Sequence, residues 1–458
     1  MAAYPHSQGQ GANSRPPNET PSEHDPDVYD VIVLGAGMAG LAVGHALLDD
    51  DLDVLLLEAR DRLGGRAHTD RQFAGFPVEF GAEFIHGERA ATWRWVDRLG
   101  LATVHWTKLD DSWIRLADGQ RLTMRQAREV SAALDGPRSW RLPPEPPRPL
   151  ESFGQYLQRL GFDPEQLDYV RRAFANAEGA SMRFLDATAV LEGLRAVEHD
   201  GEEDFRILEG YGAIVEAFGV GLDIHTESVV THVKWGDDGV VITTREGHVY
   251  RGRSAVVTLP VGVLQAGEIE FDPPLPPAKV TALAGLGMGP VAKFVYRFAE
   301  QLTPEEIHAI YAAGNPPMWW SPSAAHPDTE AIVWSALVSG DGLVDLLRYG
   351  EEEALDMALE ALRLEVGRPG LRPLEAHLID WYSDPFARGG YSHVRPGHHG
   401  AREELAEPTP PLFWAGEATA QEERAATVHG AILSGERAAV EVRRARAERE
   451  AGAAQAVT

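Results

Sequence analysis

Residues Asp30–Glu58, DVIVLGAGMAGLAVGHALLDDDLDVLLLE, constrain the fold more than any other stretch of the chain. The apolar run Val31–Leu34 stops at Gly35-Ala36-Gly37-Met38-Ala39-Gly40. A helical pattern follows (Leu41, Ala42, Val43, Ala46, Leu47), then a second apolar run, Val54–Leu57, ending in Glu58. The order is strand, glycine turn, helix, strand, acid. Each part has a physical task on a dinucleotide. Gly35 allows the tight turn, Gly37 lets backbone approach a pyrophosphate, and Gly40 lets the helix pack closely on the strand. The helix N-terminus faces the anion. Glu58, at the end of the next strand, can accept hydrogen bonds from ribose hydroxyls.

The 458 residues suffice for two or three domains' worth of core. With 44% hydrophobic and 24% charged residues, the composition is that of a soluble globular protein. Forty-two Lys and Arg stand against 70 Asp and Glu, a formal charge of −28, which repels nucleic acid and anionic membrane. Such a surface could attract polyamines and other cations, although solubility is the simpler reading. The chain has no cysteine, so disulfides, thiolate nucleophiles, cysteine-bound metals and cofactors bonded through sulfur are excluded. No histidine or carboxylate cluster has metal-ligand spacing. Residues 1–27, polar and rich in Pro, Gly, Ser and Asn, read as a disordered tail rather than a secretory signal. No apolar run is long enough to span a membrane. A soluble, cytoplasmic monomer or homodimer is expected.

A turn with two glycines and three arginines, Arg60 to Arg66 with Gly64 and Gly65, follows the acid, and Arg66 can meet a phosphate in fork geometry. The segment GFPVEFGAEFIHG (75–87) alternates like a short strand and ends at the glycine-flanked His86. Residues 92–205 are mostly helical in pattern, broken by the Pro-rich stretch Leu142–Leu150. Phe205–Gly212 is another glycine turn opening an apolar helix, and Val229–Val233, Val240–Thr244 and Ala255–Leu259 read as strands. Asp272–Pro277 is a hard break. Gly289–Phe298 is a strand carrying Lys293, and Leu412–Glu417 a strand running into a Gly416-Glu417 turn. A helix with a small-residue face over Thr427–Val440 follows, and the charged pattern continues over Glu436–Ala451.

A nucleotide unit at one end and a strand–Gly–Glu–helix unit at the other imply a discontinuous α/β domain. The expected cofactor-binding domain is Rossmann-like and comprises residues 28–90, 203–275 and 408–445. An α+β substrate domain of mixed sheet and helices takes 91–202 and 276–407, and 446–458 is a charged C-terminal tail.

Taken together and in order, these motifs resemble the flavin-dependent amine oxidases: monoamine, polyamine and spermine oxidases and the lysine-specific histone demethylases. The matching segments are GAGMAGL, the Glu58–Arg66 block, FGAEFIHG, LEGYGAIVEAF, VVTLPVGVL, Lys293, WYSDPFARGGYSHVRPG, LFWAGEATA and ATVHGAILSGERAA. The resemblance implies FAD in a two-domain fold similar to p-hydroxybenzoate hydroxylase. By it, Glu58 binds the adenosine ribose, Arg60 belongs to the cofactor-binding set, and Gly64, Gly65 and Arg66 lie along the cofactor near the flavin. Val229 contacts adenine through its backbone, Gly416 and Glu417 meet the ribityl or pyrophosphate region, and Thr427 and Val428 face the pyrimidine edge of the ring. Lys293 matches the lysine that holds a water near flavin N5, Trp381 a flavin wall, and Tyr391 an aromatic in front of the ring. Where monoamine oxidases attach flavin to cysteine, this chain has Gly390, so noncovalent FAD is implied. Thr427 stands where the second cage tyrosine of monoamine oxidases falls. That departure and TVHG at Thr427–Gly430 look like the polyamine oxidase and histone demethylase branches, and the IHG context of His86 looks like spermine and polyamine oxidases, so the likeness is nearest the polyamine oxidase branch. No large helical insertion of the demethylase kind is visible, which argues against a histone substrate.

The implied reaction oxidises a polyamine or related amine by hydride transfer to the flavin, giving an imine, then an aldehyde, with hydrogen peroxide from oxygen. Aliphatic amines are mostly ammonium near pH 7, and a dry aromatic pocket favours the neutral form that reacts. On residue pattern alone, Lys293 reads equally as a snorkelling surface lysine, Trp381 as a core aromatic and His86 as a loop histidine. Glu88, Asp110 and Asp111 are candidate partners for a distal ammonium. An oxidase of monoamines or L-amino acids is the alternative, with Arg89 as a candidate carboxylate partner. A flavin dehydrogenase or desaturase that does not use oxygen is another.

Overall fold

The structure, a computed structural model, describes residues 28–106, 112–116, 119–130, 145–195, 200–201, 203–304, 307–421 and 424–456. The expected N-terminal tail and the candidates Asp110 and Asp111 lie outside the described residues.

The glycine-centred unit forms as its spacing dictates. Strand β1 (Val28–Leu34) runs parallel to β2 (Val54–Leu57), with Val31 opposite Val54 and Leu34 opposite Leu57; helix α1 (Met38–Leu47) joins them. β1 is apolar over its last four residues because it is buried on both faces, as central parallel strands are. Strand Asp223–His225 extends the sheet beyond β2, and Val249–Val257 pairs parallel with β1 on its other side. Val249–Val257 is long enough to serve two neighbours. Its first half pairs antiparallel with Gly239–Thr244, and Ala255–Val257 pairs parallel with Leu412–Trp414, far along the chain. Val230–Gly236 and Glu270–Asp272 complete an eight-stranded sheet.

Helix α1 is buried nearly all round because the C-terminal helix Val428–Ala456 covers its outer side. The two backbones touch at a small residue: a Cβ on Gly435 would stand 2.4 Å from the Ala39 carbonyl oxygen. This helix runs through residue 446, where the sequence suggests a charged tail. Its Ala, Glu and Arg residues are strong helix formers, and Arg449 donates to the Arg253 carbonyl oxygen at 3.0 Å.

A second sheet of seven strands has the order Glu375–Asp380, Val291–Phe298, Ile332–Ser339, Met318–Trp320, Ala309–Tyr311, Ser112–Arg115, Arg121–Thr123. Its pairings are antiparallel except Ala309–Tyr311 with Ser112–Arg115. Phe294, Tyr296, Trp319 and Trp334 pack against Leu343, Ala358 and Leu362 of helices Gly340–Leu347 and Glu351–Val366. The region 92–205 differs from its helical reading. It holds helices such as Phe153–Arg159, but also strands Thr103–Trp106, Ser112–Arg115 and Arg121–Thr123. These strands are short, and their partners lie far along the chain or across a turn, so local periodicity does not announce them. The whole is the expected α/β architecture, a Rossmann-like unit beside a mixed-sheet α+β unit.

Candidate active site

A cavity of about 380 Å³ opens where the two sheets meet; residues as distant as Leu57, Leu259, Lys293 and Leu337 line it. One end is a glycine cradle. Gly35 has φ +103° and Gly64 φ +88°, left-handed conformations that glycine adopts without strain. Gly37 bridges to Gly64, and a Cβ on Gly37 would meet nothing nearer than the Gly64 oxygen at 4.0 Å, so its bare side opens on the cavity. Gly40 has another task. Its Cβ would stand 1.9 Å from the Gly35 carbonyl oxygen, so only glycine lets the helix sit this close to the turn. Glu58 is buried beside the cradle, accepting the Ala36 amide at 2.8 Å and the Arg60 amide at 2.9 Å. Burial pushes its carboxyl up despite these bonds.

Beyond Glu58, Arg60 grips Asp384 with two bonds of 2.8 and 2.6 Å, tying the arginine turn to the WYSDP segment. Its guanidinium lies 5.4 Å from the Phe386 ring and 5.9 Å from the Trp381 ring. Arg66 donates to the Gly390 carbonyl oxygen at 2.6 Å and to Glu417 at 2.9 Å. Burial pushes the Glu417 carboxyl up, but the Arg66 and Arg402 guanidiniums and the Ser392 hydroxyl at 2.6 Å outweigh it and hold the group below the usual carboxylate range. Gly416 precedes it at φ +128°, and its amide donates to Ser434 of the C-terminal helix at 2.9 Å. Thr427 caps that helix by accepting the Gly430 amide at 3.0 Å, so Thr427 and Val428 bring a helix N-terminus to the cavity wall.

The opposite end is aromatic and charged. Lys293, the third residue of Val291–Phe298, is 3% exposed; it donates to the Glu79 carbonyl oxygen at 2.9 Å and to Glu83 at 2.7 Å. Glu83 also receives the Trp320 Nε1 hydrogen bond at 2.9 Å and is ion-paired with Arg206, whose Nη2 lies 2.9 Å from its Oε1. Burial pushes the Glu83 carboxyl up, but Lys293 and Arg206 prevail and hold it low. The Glu79 carboxyl, bonded to the Tyr211 amide and the Thr69 hydroxyl, is pushed up to about 7 by burial. Trp381 is buried with its indole donating to the Phe80 carbonyl oxygen at 3.1 Å. Tyr391 donates to the Ala177 carbonyl oxygen, and burial pushes its phenol up. His86 stands exposed on the rim, its Nδ1 2.8 Å from the buried Asp204.

The model of the flavin-containing amine oxidoreductase family matches residues 38–443. This chain belongs to that family. Polyamine oxidase 4 of Oryza sativa subsp. japonica is 29% identical over 451 residues, covering 90% of this chain and 88% of that protein. Polyamine oxidase 2 of Arabidopsis thaliana is 28% identical over 446 residues, with the same two coverages. Lysine-specific histone demethylase 2 of Homo sapiens is 27% identical over 454 residues, 90% of this chain but 53% of that protein, so the chain spans about half its length. Among solved structures, wild-type putrescine oxidase bound to putrescine has the same fold, with a TM-score of 0.74 at 22% identity over 90% of this chain and 98% of that one.

In this flavin amine oxidoreductase the structure gathers Gly35, Gly37, Glu58, Arg60, Gly64, Gly65, Arg66, His86, Val229, Lys293, Trp381, Tyr391, Gly416, Glu417, Thr427 and Val428 on one cavity. Gly40 stays behind the cradle as a packing residue. Glu88 and Arg89 are not among the described residues that line it. His398 and His399 are exposed, as their glycine-flanked context suggests. Glu83, Trp320, Asn176 and Asp204 line it too and were not singled out from the sequence. Glu83 left one usable signal: in FGAEFIHG it shares the inward face with Ile85, a charge where an alternating strand places an apolar residue. Asp204 and Asn176 carry no local pattern.

Proposed function

We propose that this chain binds FAD noncovalently and oxidises a polyamine or related primary or secondary amine, with oxygen as the electron acceptor. One observation carries the reading: a single cavity runs from the glycine cradle of α1 to Lys293, between Trp381 and Tyr391. The cradle suits a diphosphate, because a Cβ on Gly37 would intrude where the α1 N-terminus and the Gly64–Gly65 turn converge. Glu58 keeps acceptor capacity for ribose hydroxyls beyond its two amide bonds. Val229, whose carbonyl oxygen accepts the Arg245 amide at 2.7 Å, would meet the adenosine end, and Thr427 and Val428 would offer helix-terminal backbone to an electron-rich ring edge. Noncovalent binding is supported by the absence of cysteine and by the bare Gly390.

Bound flavin supplies the acceptor for the electron pair leaving the carbon next to nitrogen. The chain's own residues prepare the amine. Trp381, Tyr391, Phe84 and Trp320 exclude water, which disfavours the ammonium form. Lys293, with two N–H groups engaged, has a third for a cavity water. His86, its ring oriented by Asp204, sits where a substrate enters and can relay its proton to solvent. The names of the polyamine and putrescine oxidases it matches agree with a short aliphatic amine. An L-amino acid substrate is disfavoured, since Arg89 does not line the cavity.

The test is a panel of spermine, spermidine, putrescine, acetylated polyamines, phenethylamine and amino acids, assayed for peroxide. Release with di- or polyamines supports the proposal. Flavin reduction without peroxide in air identifies a dehydrogenase instead, and a flavin that stays on the chain after denaturation overturns the noncovalent part.

A further inference from the structure

Lysine is scarce here. Of 42 Lys and Arg residues, four are lysines: Lys108, Lys234, Lys279 and Lys293. Lys234 is exposed. Lys279 is buried, with its ammonium spent on the carbonyl oxygens of Glu404, Leu405 and Glu407, which end the helix Ala401–Ala406. Lys293 is the one lysine among the described residues that lines the cavity.

Its surroundings are unusual for a buried cation. Lys293, Glu83 and Arg206 have side chains only 4%, 5% and 5% exposed. Oε2 of Glu83 accepts the lysine; Oε1 accepts Trp320 Nε1 and is ion-paired with Arg206. Arg206 does not line the cavity. It lies behind Glu83, its guanidinium 4.1 Å from the Trp106 ring and 4.9 Å from the Phe84 ring, and bonded to the Ser321 carbonyl oxygen at 3.2 Å. The unit thus contains two cations and one carboxylate, and the Glu79 carboxyl, pushed up to about 7 by burial, is the further titratable group near Lys293. Arginine holds its proton throughout. Arg206 therefore repels positive charge at the Lys293 amine, and Glu83, 2.7 Å from it, attracts it. A lysine side chain is also long and flexible, and two fixed acceptors are needed to hold it in one geometry.

We propose that Glu83 is a positioning residue of this site: it anchors the Lys293 side chain in one geometry, with one N–H left for the cavity, while Arg206 and Trp320 hold Glu83 itself. This rests on the amine-oxidase reading and deepens it by assigning Lys293 the role of a fixed hydrogen-bond donor.

The scarcity of lysine makes the test direct. Protein labelled with 13Cε-lysine gives four lysine signals to follow, and Lys293→Met identifies one of them. In the holoenzyme, Glu83→Gln is expected to move the ionisation of Lys293 to lower pH, and Arg206→Gln to higher pH. Glu83→Asp returns it toward the wild-type position. Opposite signs are what charge coupling requires and what a merely structural role does not produce. Glu83→Gln is also expected to slow flavin reduction by amine about 10²-fold at unchanged FAD content, the scale of losing one positioned group. Combined with Lys293→Met, it adds no further loss. The same Lys293 titration in Glu83→Gln and wild type, or shifts of one sign in Glu83→Gln and Arg206→Gln, overturns the proposal. If Glu83→Gln does not fold, Arg206→Gln and Glu83→Asp decide the matter by the same titration. If no amine reduces the flavin, the oxidase reading falls, while the lysine titration still judges Glu83.

Discussion

Gly37 and Gly40 stand three residues apart in one motif, and alanine should affect them in opposite ways. At Gly40 the added Cβ would lie 1.9 Å from the Gly35 carbonyl oxygen, against ordinary contact from 3.4 Å, so helix and turn must separate by roughly 1.5 Å. Both are buried in a closely packed core, and a separation of that size costs about 3 kcal/mol or more. At Gly37 the backbone has φ −73° and ψ −179°, which alanine adopts freely, and the nearest atom to a Cβ is 4.0 Å away. Gly37→Ala should leave the flavin-free protein as stable as wild type, or up to about 1 kcal/mol more stable through a less flexible unfolded chain. Its methyl group enters the cavity, however, and should weaken FAD binding by about 10- to 100-fold, equivalent to roughly 1.4–2.8 kcal/mol. Thermal unfolding of flavin-free protein and titration with FAD followed by fluorescence quenching separate the two effects. If Gly37→Ala binds FAD as tightly as wild type, or if Gly40→Ala melts at the wild-type temperature, the division of labour in the cradle is wrong.

Three other perturbations have calculable outcomes. Glu79 sits at about 7 in the folded protein against 4.5 as its ordinary value; between these the folded state keeps a proton the unfolded state has released, so stability falls as pH rises through that window. Glu79→Gln should remove a decline on the order of 3 kcal/mol, and melting curves from pH 5 to 8 that stay parallel to wild type would refute this. Asp384→Asn breaks the paired bonds to Arg60, whose guanidinium then lacks its anion in a largely buried place; a loss of about 1–3 kcal/mol with weaker FAD binding is expected, measured by melting and FAD titration. Lys279→Met leaves three carbonyl oxygens without their donor and should lower stability by about 1–3 kcal/mol while amine turnover is unchanged, because Lys279 does not line the cavity.

The glycine unit was legible because everything that makes it is local: the apolar period of β1, the turn, the helical period of α1 and the acid after β2 lie within thirty residues. Lys293, Trp381 and Glu417 were legible only through the order of motifs. What was missed depends on pairings across the chain. Asp204 orients His86 from 118 residues away, Glu83 meets Lys293 from 210, and Asp384 meets Arg60 from 324. No periodicity registers such distances, and a carboxylate looks the same in sequence whether solvated or buried under two cations. The strands Thr103–Trp106 and Arg121–Thr123 were hidden for a related reason. At four and three residues, mostly half-buried, they are too short to show alternation, and packing against distant partners decides their conformation.

If the cradle and the Lys293 end of one cavity serve a single redox reaction on an amine, anaerobic addition of putrescine or spermidine to the purified protein must change its absorption spectrum. The expected result is a flavin spectrum that bleaches with one of these amines, recovers in air with release of peroxide, and is lost to the supernatant when the protein is denatured. A colourless protein that takes up no FAD, or a flavin that none of the amines bleaches, would contradict it.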